Sequence, residues 1–445
     1  MRDGGSLGAG APICRGMGEA SAGTHERRSV GAVSAMKPSI LIIVENLTVP
    51  LDRRVWQEAG ALRDAGYTVS VICPKGGRYQ ASYEVLDGIH IFRHPLPIEA
   101  LGAMGYLIEY GWALSWEFAL SVKAYFKVGF DVVQVCNPPD LLFVIGGFWK
   151  YLFGKPFIFD HHDINPELYE AKFGRRDVMH KIVCALERMT FRVADVSLAT
   201  NESFRDIAVQ RGRMDKDRVF IVRSTPDVAR FKRIDADPAL KNGRKHLVGY
   251  VGIMGAQDGV DLLIEAMAEI VFKQGRRDIQ CRIIGSGTEL PHLERMARER
   301  GLADYIDFPG FQSGETLLKA MSTFDVGVIP DPKNAYNDRI SMNKVFEYMT
   351  LGITFVQFDL EEGRKLAGDA CLYARDNSPR DLAARICALV DNPDLHAATA
   401  EAGRQRAKTH LRWDEEKGRL LAAYALALSG RTRGAARPVA PVLSE

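Results

Sequence analysis

The chain lacks an excess of charge of either sign: 58 Lys and Arg face 56 Asp and Glu over 445 residues, a formal balance of +2. A nucleic-acid partner held by bulk charge is excluded on that ground. Cysteine is scarce as well. The seven (Cys14, Cys73, Cys136, Cys184, Cys281, Cys371, Cys387) are odd in number, scattered and never spaced C-x-x-C. That argues against a disulfide framework and a structural zinc site, and fits a reducing, cytoplasmic setting. No stretch reaches the ~20 uninterrupted apolar residues of a membrane span. The nearest, from Leu101 to Val122, carries Glu109 and Glu117 in its middle, where carboxylates are costly. It reads as a long buried helix, with a helix leaning on a membrane surface as the sharper alternative because of Trp112, Trp116 and Tyr125. The first 36 residues contain no apolar core for a signal peptide.

What is present is the composition of a globular protein, 47% hydrophobic and 26% charged, long enough for about two to three domains. Residues 1 to 36, rich in Gly, Ala and Ser, read as a disordered leader, with Met36 opening the fold. A start-codon artefact would account for such a leader. Residues 430 to 445, basic and rich in Pro and Ala, read as a disordered tail.

Between the tails, short apolar runs alternate with amphipathic ones. SILIIV (39 to 44), TVSVIC (68 to 73), DVVQVC (131 to 136), PFIFD (156 to 160), DVSLAT (195 to 200) and RVFIV (218 to 222) form a first strand series. LVGYVGIM (247 to 254), QCRIIG (280 to 285), YIDFPG (305 to 310), FDVGVIP (324 to 330) and ITFVQF (353 to 358) form a second. Helical spacing separates nearly all of them; Val55, Ala59 and Leu62 share one face after Pro50, with Asp52 placed to cap the first turn. Strand-helix repetition with apolar strands predicts an α/β fold of two doubly wound, Rossmann-like domains facing a cleft. Residues 37 to 231 and 232 to 412 are the expected halves, with a last helix over 413 to 429 that periodicity assigns to neither. Ligands are expected beyond the carboxyl ends of the strands.

The strongest chemistry lies in PDPKNAYNDRISMNKVFEYMTLG (330 to 352), where a strand ends, a polar loop follows and a helix begins near Ser341. A loop feeding a helix N-terminus presents free N–H groups and a partial positive charge, which suits a phosphate. Lys344 falls in the first turn and Glu347 three residues on, so a cation for phosphate sits beside a carboxylate for ribose hydroxyls.

With LDRRVWQEAGALRDAGY (51 to 67), FDHHDINPELY (159 to 169), YVGIMGAQDGVDLLIEAM (250 to 267), IIGSGTEL (283 to 290), FPGF (308 to 311) and above all MNKVFEYMTLG (342 to 352), the chain resembles the family 4 glycosyltransferases of GT-B fold, from about Lys37 to Leu428. The resemblance implies retaining transfer of a sugar from a nucleotide diphosphate donor, usually UDP-linked, with no metal or other cofactor, the nucleotide-sugar being a substrate. It also implies that the C-terminal half holds the nucleotide and the N-terminal half the acceptor, and that the last helix crosses back to the first domain. The subgroup it is most similar to builds exopolysaccharide, capsule or O-antigen units on a saccharide or polyprenyl-linked acceptor, with peripheral contact at the inner face of the membrane. A UDP-sugar 2-epimerase on the same fold and a non-catalytic nucleotide-sugar binding subunit are the competing readings.

Carried onto this chain, the resemblance puts Glu347 at the second carboxylate of the family's E-x7-E motif, on the ribose, and counts Asn343 with the donor site. The first carboxylate falls at Arg339, with Asp338 adjacent; Arg339 is expected to act as a cation for the leaving diphosphate. The family's diphosphate-binding Arg and Lys are replaced by Ile253 and Asp258, which leaves Arg339 and Lys344 to offset the charge on the departing nucleotide. His162 aligns with a sugar-site histidine. His161 and Asp160 are more readily packed or capping residues, and adjacent residues on an extended chain make a poor metal site. Gly285 and Gly287 would let the backbone approach uridine, and Gly252 and Gly255 the diphosphate, with tight-turn geometry as the other reading. The resemblance makes the loop with Glu45, Asn46, Asp52, Arg53 and Arg54 the acceptor-side loop, one that also approaches the diphosphate, although the two arginines would also sit comfortably in solvent. The basic segment AKFGRRDVMHK (171 to 181) is either a solvated helix face or a contact for anionic lipid.

Overall fold

The structure, a computed structural model, describes residues 37–95, 102–225 and 231–430, with the side chains of 102–110 left aside. The leader, the tail beyond 430, Leu101 and the Glu109 side chain lie outside the described residues. The first sheet has eight strands: β1 (Ser39–Val44), β2 (Thr68–Pro74), β3 (Tyr83–Leu86), β4 (Ile89–His94), β5 (Val132–Cys136), β6 (Phe157–His161), β7 (Val196–Ala199) and β8 (Val219–Ile221). Their order is β3-β4-β2-β1-β5-β6-β7-β8, and every pairing is parallel except β3 with β4.

Both faces of this sheet are covered, which is why its strands are continuously apolar rather than alternating. Val55, Ala59 and Leu62 of the Arg53–Asp64 helix pack on one face together with Leu420 and Tyr424 of the Trp413–Ser429 helix. The other face receives Leu120, Ile145, Trp149 and Phe191 from the helices Gly102–Lys127, Phe143–Phe153 and Val178–Val193. The Trp413–Ser429 helix therefore reaches back over the first sheet after the chain has built the second. The antiparallel β3–β4 pair is absent from the strand series read off the sequence. Its turn is Asp87-Gly88, both at positive φ (47° and 76°), a pairing suited to a two-residue hairpin.

The second sheet contains β9 (His246–Ile253), β10 (Ile279–Ser286), β11 (Ile306–Gly310), β12 (Val326–Ile329), β13 (Phe355–Phe358) and β14 (Cys371–Ala374), ordered β11-β10-β9-β12-β13-β14. All five pairings are parallel. In each sheet the strand order reverses beside a central strand, between β1 and β5 and between β9 and β12. The loops leaving those strands at their carboxyl ends are where an open parallel sheet binds ligands.

Candidate functional site

In the second half the site is built on the Asn343–Leu351 helix. Met342 precedes it in an extended conformation (φ −78°, ψ 123°), and no side chain caps the first turn, so the helix presents its N–H groups and its positive dipole end outward. Val345, Phe346, Tyr348 and Met349 anchor it in the core. Gly352, at φ 63°, terminates it in the left-handed conformation that glycine adopts at no steric cost.

Lys344 leaves the first turn and runs inward, its side chain only 12% exposed. Its Nζ lies 3.0 Å from Asp331 Oδ2 and 3.5 Å from the Tyr250 hydroxyl. Burial works against its charge, but Asp331, Tyr250 and Asp258 raise its pKa above the usual lysine value. Asp331 is pushed up by burial and drawn back by Lys344. Asp258 is pushed up to about 6 by burial, with Lys344 opposing; its Oδ2 accepts the Gly255 N–H at 2.9 Å. Glu347, also buried, accepts Nη1 of Arg53 at 2.6 Å, a contact from one half of the molecule to the other.

The glycines expected to make room for a ligand make room first for the protein. A Cβ on Gly285 (φ 148°) would fall 1.8 Å from the Gly252 carbonyl oxygen, and one on Gly287 (φ 159°) 2.3 Å from that of Met254. A Cβ at Gly252 would stand 2.8 Å from the Tyr250 hydroxyl and 3.4 Å from Lys344 Nζ, and one at Gly255 would meet the Gln257 side chain at 2.7 Å. Tight packing of backbone between the ends of β9 and β10 is thus sufficient reason for Gly285 and Gly287, whereas a Cβ at Gly255 would only move the end of a flexible side chain.

Arg339, expected as a cation for the leaving diphosphate, has an ion-pair partner of its own. Its Nη1 donates to Glu167 Oε1 at 2.8 Å, and Glu167 is also bridged by Arg211 at 2.6 and 3.1 Å. Arg339, 43% exposed, thus rests on a carboxylate of the first half that Arg211 also holds. Asp338, its neighbour, accepts the Glu361 N–H at 2.9 Å and lies 3.6 Å from Lys333. The loop that carries them is clamped across the cleft: Tyr336 donates to Asp163 at 3.0 Å, and Asn201 donates to the Arg339 carbonyl at 2.8 Å and to Ser341 at 2.9 Å. Tyr336 is buried within the core of the first half.

In the first half, Glu45 is buried and Asn46 exposed at the end of β1. Asp52 caps the following helix by accepting the Val55 N–H at 3.0 Å. The structure corrects one reading of Arg54, which is not solvated. Its side chain is 9% exposed and bonds Asp160 at 2.7 Å and Glu58 at 3.1 Å, while Nη1 donates to the Val222 carbonyl at 2.7 Å. His162 closes the cluster, Nε2 lying 2.6 Å from Asp160 Oδ2.

The charges in this cluster set one another. Burial opposes ionisation of Asp160, but Arg54 and His162 hold its carboxyl below the usual range. Burial likewise opposes a charged His162, and Asp160 more than compensates, raising its pKa. Glu58 is pushed up to about 8 by burial and by the Asp160 charge, against Arg54. His161 packs tilted and edge-on among Phe159, Phe191 and Phe204. Burial, with Arg211 and His162, pushes it down to about 3, so it is a neutral core residue. Cys136, Asp160 and His162 place ligand atoms within 4.8 Å of one another. Arg54 already occupies the shared carboxylate as its cation, and burial raises the Cys136 thiol pKa, so the set is a salt-bridged histidine rather than a metal donor set.

Asp331, Tyr250, Glu58 and Glu167 are site residues that the sequence reading passed over. Asp331 alone carried a usable signal: a carboxylate directly after a strand, at the carboxyl edge where ligands bind.

Comparison with known proteins places this geometry. Residues 51–230 match the family model described as Glycosyltransferase Family 4, and residues 245–392 that described as Glycosyl transferases group 1. The alpha-D-kanosaminyltransferase of Streptomyces kanamyceticus is 28% identical over 224 residues, 48% of this chain and 56% of that protein. The putative colanic acid biosynthesis glycosyl transferase WcaI of Escherichia coli is 26% identical over 188 residues, 40% and 44% of the two chains. The chain spans about half the length of the curated relatives it matches. Among solved structures, sucrose-phosphate synthase from Thermosynechococcus elongatus superposes with a TM-score of 0.72 at 16% identity, over 88% of this chain and 100% of that one. The Anabaena protein HepE in complex with UDP and glucose gives 0.66 at 14% identity, over 87% and 100%. With both halves matched in order and the two-sheet architecture shared, the chain belongs to the family 4 glycosyltransferases of GT-B fold.

Proposed function

We propose that this chain transfers a sugar from a nucleoside diphosphate donor, UDP-linked, to a saccharide or polyprenyl-linked saccharide acceptor in the building of a surface polysaccharide, with retention at the anomeric carbon and no metal. One observation carries the reading: a buried lysine and a buried carboxylate share one turn at the N-terminus of a helix, at the switch point of the second sheet. That arrangement offers dipole and ammonium to a diphosphate and a carboxylate to vicinal ribose hydroxyls. Likeness to proteins named for kanosaminyl transfer and colanic acid synthesis, and to one crystallised with UDP and glucose, supports it. The acceptor would enter along Glu45, Asn46 and Asp52. Its hydroxyl would attack the front face of the donor sugar while a diphosphate oxygen takes the proton, Lys344 and the helix N-terminus stabilising the leaving group.

No helix among the described residues is long and apolar enough to cross a membrane. Contact with a bilayer would be peripheral. Phe126, Tyr151, Leu152, Val178 and Ile182 are exposed on outer helices of the first half, interspersed with exposed Lys127, Lys181 and Arg188, a mixture suited to an anionic interface. Co-sedimentation with phosphatidylglycerol but not phosphatidylcholine vesicles is the expected result, and equal partition would remove the bilayer from the reading.

The nucleotide site is tested by thermal shift with UDP, GDP, ADP, CMP and NAD on the wild type and on Glu347→Ala. A ligand at ~100 times its dissociation constant adds about 2.7 kcal/mol. Stabilisation by UDP alone, lost in the variant, is expected; stabilisation that survives Glu347→Ala would take the ribose away from this carboxylate.

A further inference from the structure

The cations that border the Asn343 helix turn differ in what already binds them. Lys344 is neutralised by Asp331 at 3.0 Å. Arg339 is held by Glu167, and Arg54 by Asp160 and Glu58. A diphosphate placed against this turn brings at least two negative charges to a spot whose buried lysine is balanced by a buried aspartate. Transfer adds more, because the bond from the anomeric carbon breaks with its electron pair going to the diphosphate oxygen. A further cation is required, free to turn toward the phosphates.

Arg53, the most exposed of these cations, meets that requirement best. It opens the Arg53–Asp64 helix, its side chain is 68% exposed, and Nη1 reaches 2.6 Å from Glu347. Glu347 is the carboxylate that a ribose would claim under the proposed function, on which this inference rests. Ribose hydroxyls and Arg53 therefore draw on the same carboxylate, and an arginine displaced by the ribose would be left charged, exposed and near the diphosphate.

We propose that Arg53 is a leaving-group cation, delivered from the acceptor half to the donor phosphates when the ribose takes Glu347. The exchange turns nucleoside recognition into transition-state stabilisation. The electron pair of the broken sugar–oxygen bond stays on the diphosphate, paired with Arg53 and Lys344. The acceptor oxygen bonds the anomeric carbon, and its proton passes to a diphosphate oxygen. Arg53 thereby belongs to the donor reaction rather than to acceptor recognition.

The test compares uridine, UMP and UDP by titration calorimetry on the wild type, Arg53→Ala and Arg53→Lys. Under the proposal, Arg53→Ala weakens UDP about tenfold or more, the loss expected of a charge-assisted phosphate contact. Uridine is unchanged or tighter, because Glu347 no longer has a partner to surrender, and Arg53→Lys recovers part of the UDP affinity. Turnover of a UDP-sugar falls in kcat more than KM rises. Equal tightening of uridine and UDP would show a latch with no phosphate role and overturn the proposal, as would equal weakening of all three ligands. If Arg53→Ala binds UDP like the wild type, the proposal fails while the nucleotide site stands. Failure of the wild type to bind any of the three takes down both.

Discussion

Two charged clusters lie at the carboxyl edges of the two sheets, and they are closed in different ways. Under the first sheet, Arg54, Asp160, His162 and Glu58 satisfy one another, and every partner comes from the same half. At the second sheet, Lys344 and Asp331 are paired locally, but Glu347 takes its cation from the opposite half, through an arginine that stays largely in solvent. A buried charge with a buried partner is expensive to disturb, because removing either member strands the other away from water. A buried charge with an exposed partner can change partners at little cost, since the exposed member regains its hydration. The first cluster is therefore scaffold and the second is poised for exchange.

Predictions that bear on this contrast begin with the largest effect. Lys344→Ala removes the one buried ammonium of the second cluster and strands Asp331; UDP-sugar turnover should fall about 100-fold or more. Steady-state rates across a panel of UDP-sugars decide it, and unchanged turnover would move the leaving-group site elsewhere. Next, the two adjacent arginines should separate by stability. Arg54→Ala should cost about 3–5 kcal/mol, as breaking a buried pair does, whereas Arg53→Ala should cost less, because only Glu347 of that pair is withdrawn from water. Denaturant melts of both variants measure the difference. Similar losses would erase the distinction between scaffold and exchange.

How far the sequence speaks to these features follows from the range of the interactions. Local periodicity sufficed for the strand runs and for the turn that brings Lys344 and Glu347 together, because both depend on neighbours within a few residues. It gave Arg53 and Arg54 the same reading, since both begin one helix, and only partners far along the chain separate them: Asp160 lies 106 residues from Arg54, Glu347 294 from Arg53. Arg339 illustrates the same limit. Its distance of 172 residues from Glu167 hides the ion pair on which it rests. The β3–β4 hairpin and β14 escaped for a different reason: β3 and β14 are four residues long and only partly buried, too short to establish a period. The Asp87-Gly88 turn was the one local sign of the hairpin.

The last prediction concerns pH and the inner logic of the first cluster. Glu58 is raised from the usual 4.5 to about 8 by burial and by Asp160. A carboxyl whose folded pKa is raised binds its proton more tightly in the native state. The unfolded chain has released that proton above about 4.5, so stability declines as pH rises from there to about 8 and then levels off. Glu58→Gln keeps the neutral shape and cannot ionise. Its melting temperature should match the wild type's near the acid end of this window and exceed it by a growing margin toward pH 8, each kcal/mol being worth roughly 2–4 °C in a domain of 150–250 residues. His162, raised by Asp160, also loses stabilisation as pH rises, but it is present in both proteins and drops out of the difference. Parallel melting curves would mean that Glu58 ionises like a surface carboxylate. Arg54 and a protonated His162 would then face two carboxylates, Asp160 and Glu58, so the first cluster would balance within itself, whereas a neutral Glu58 leaves it one positive charge in excess.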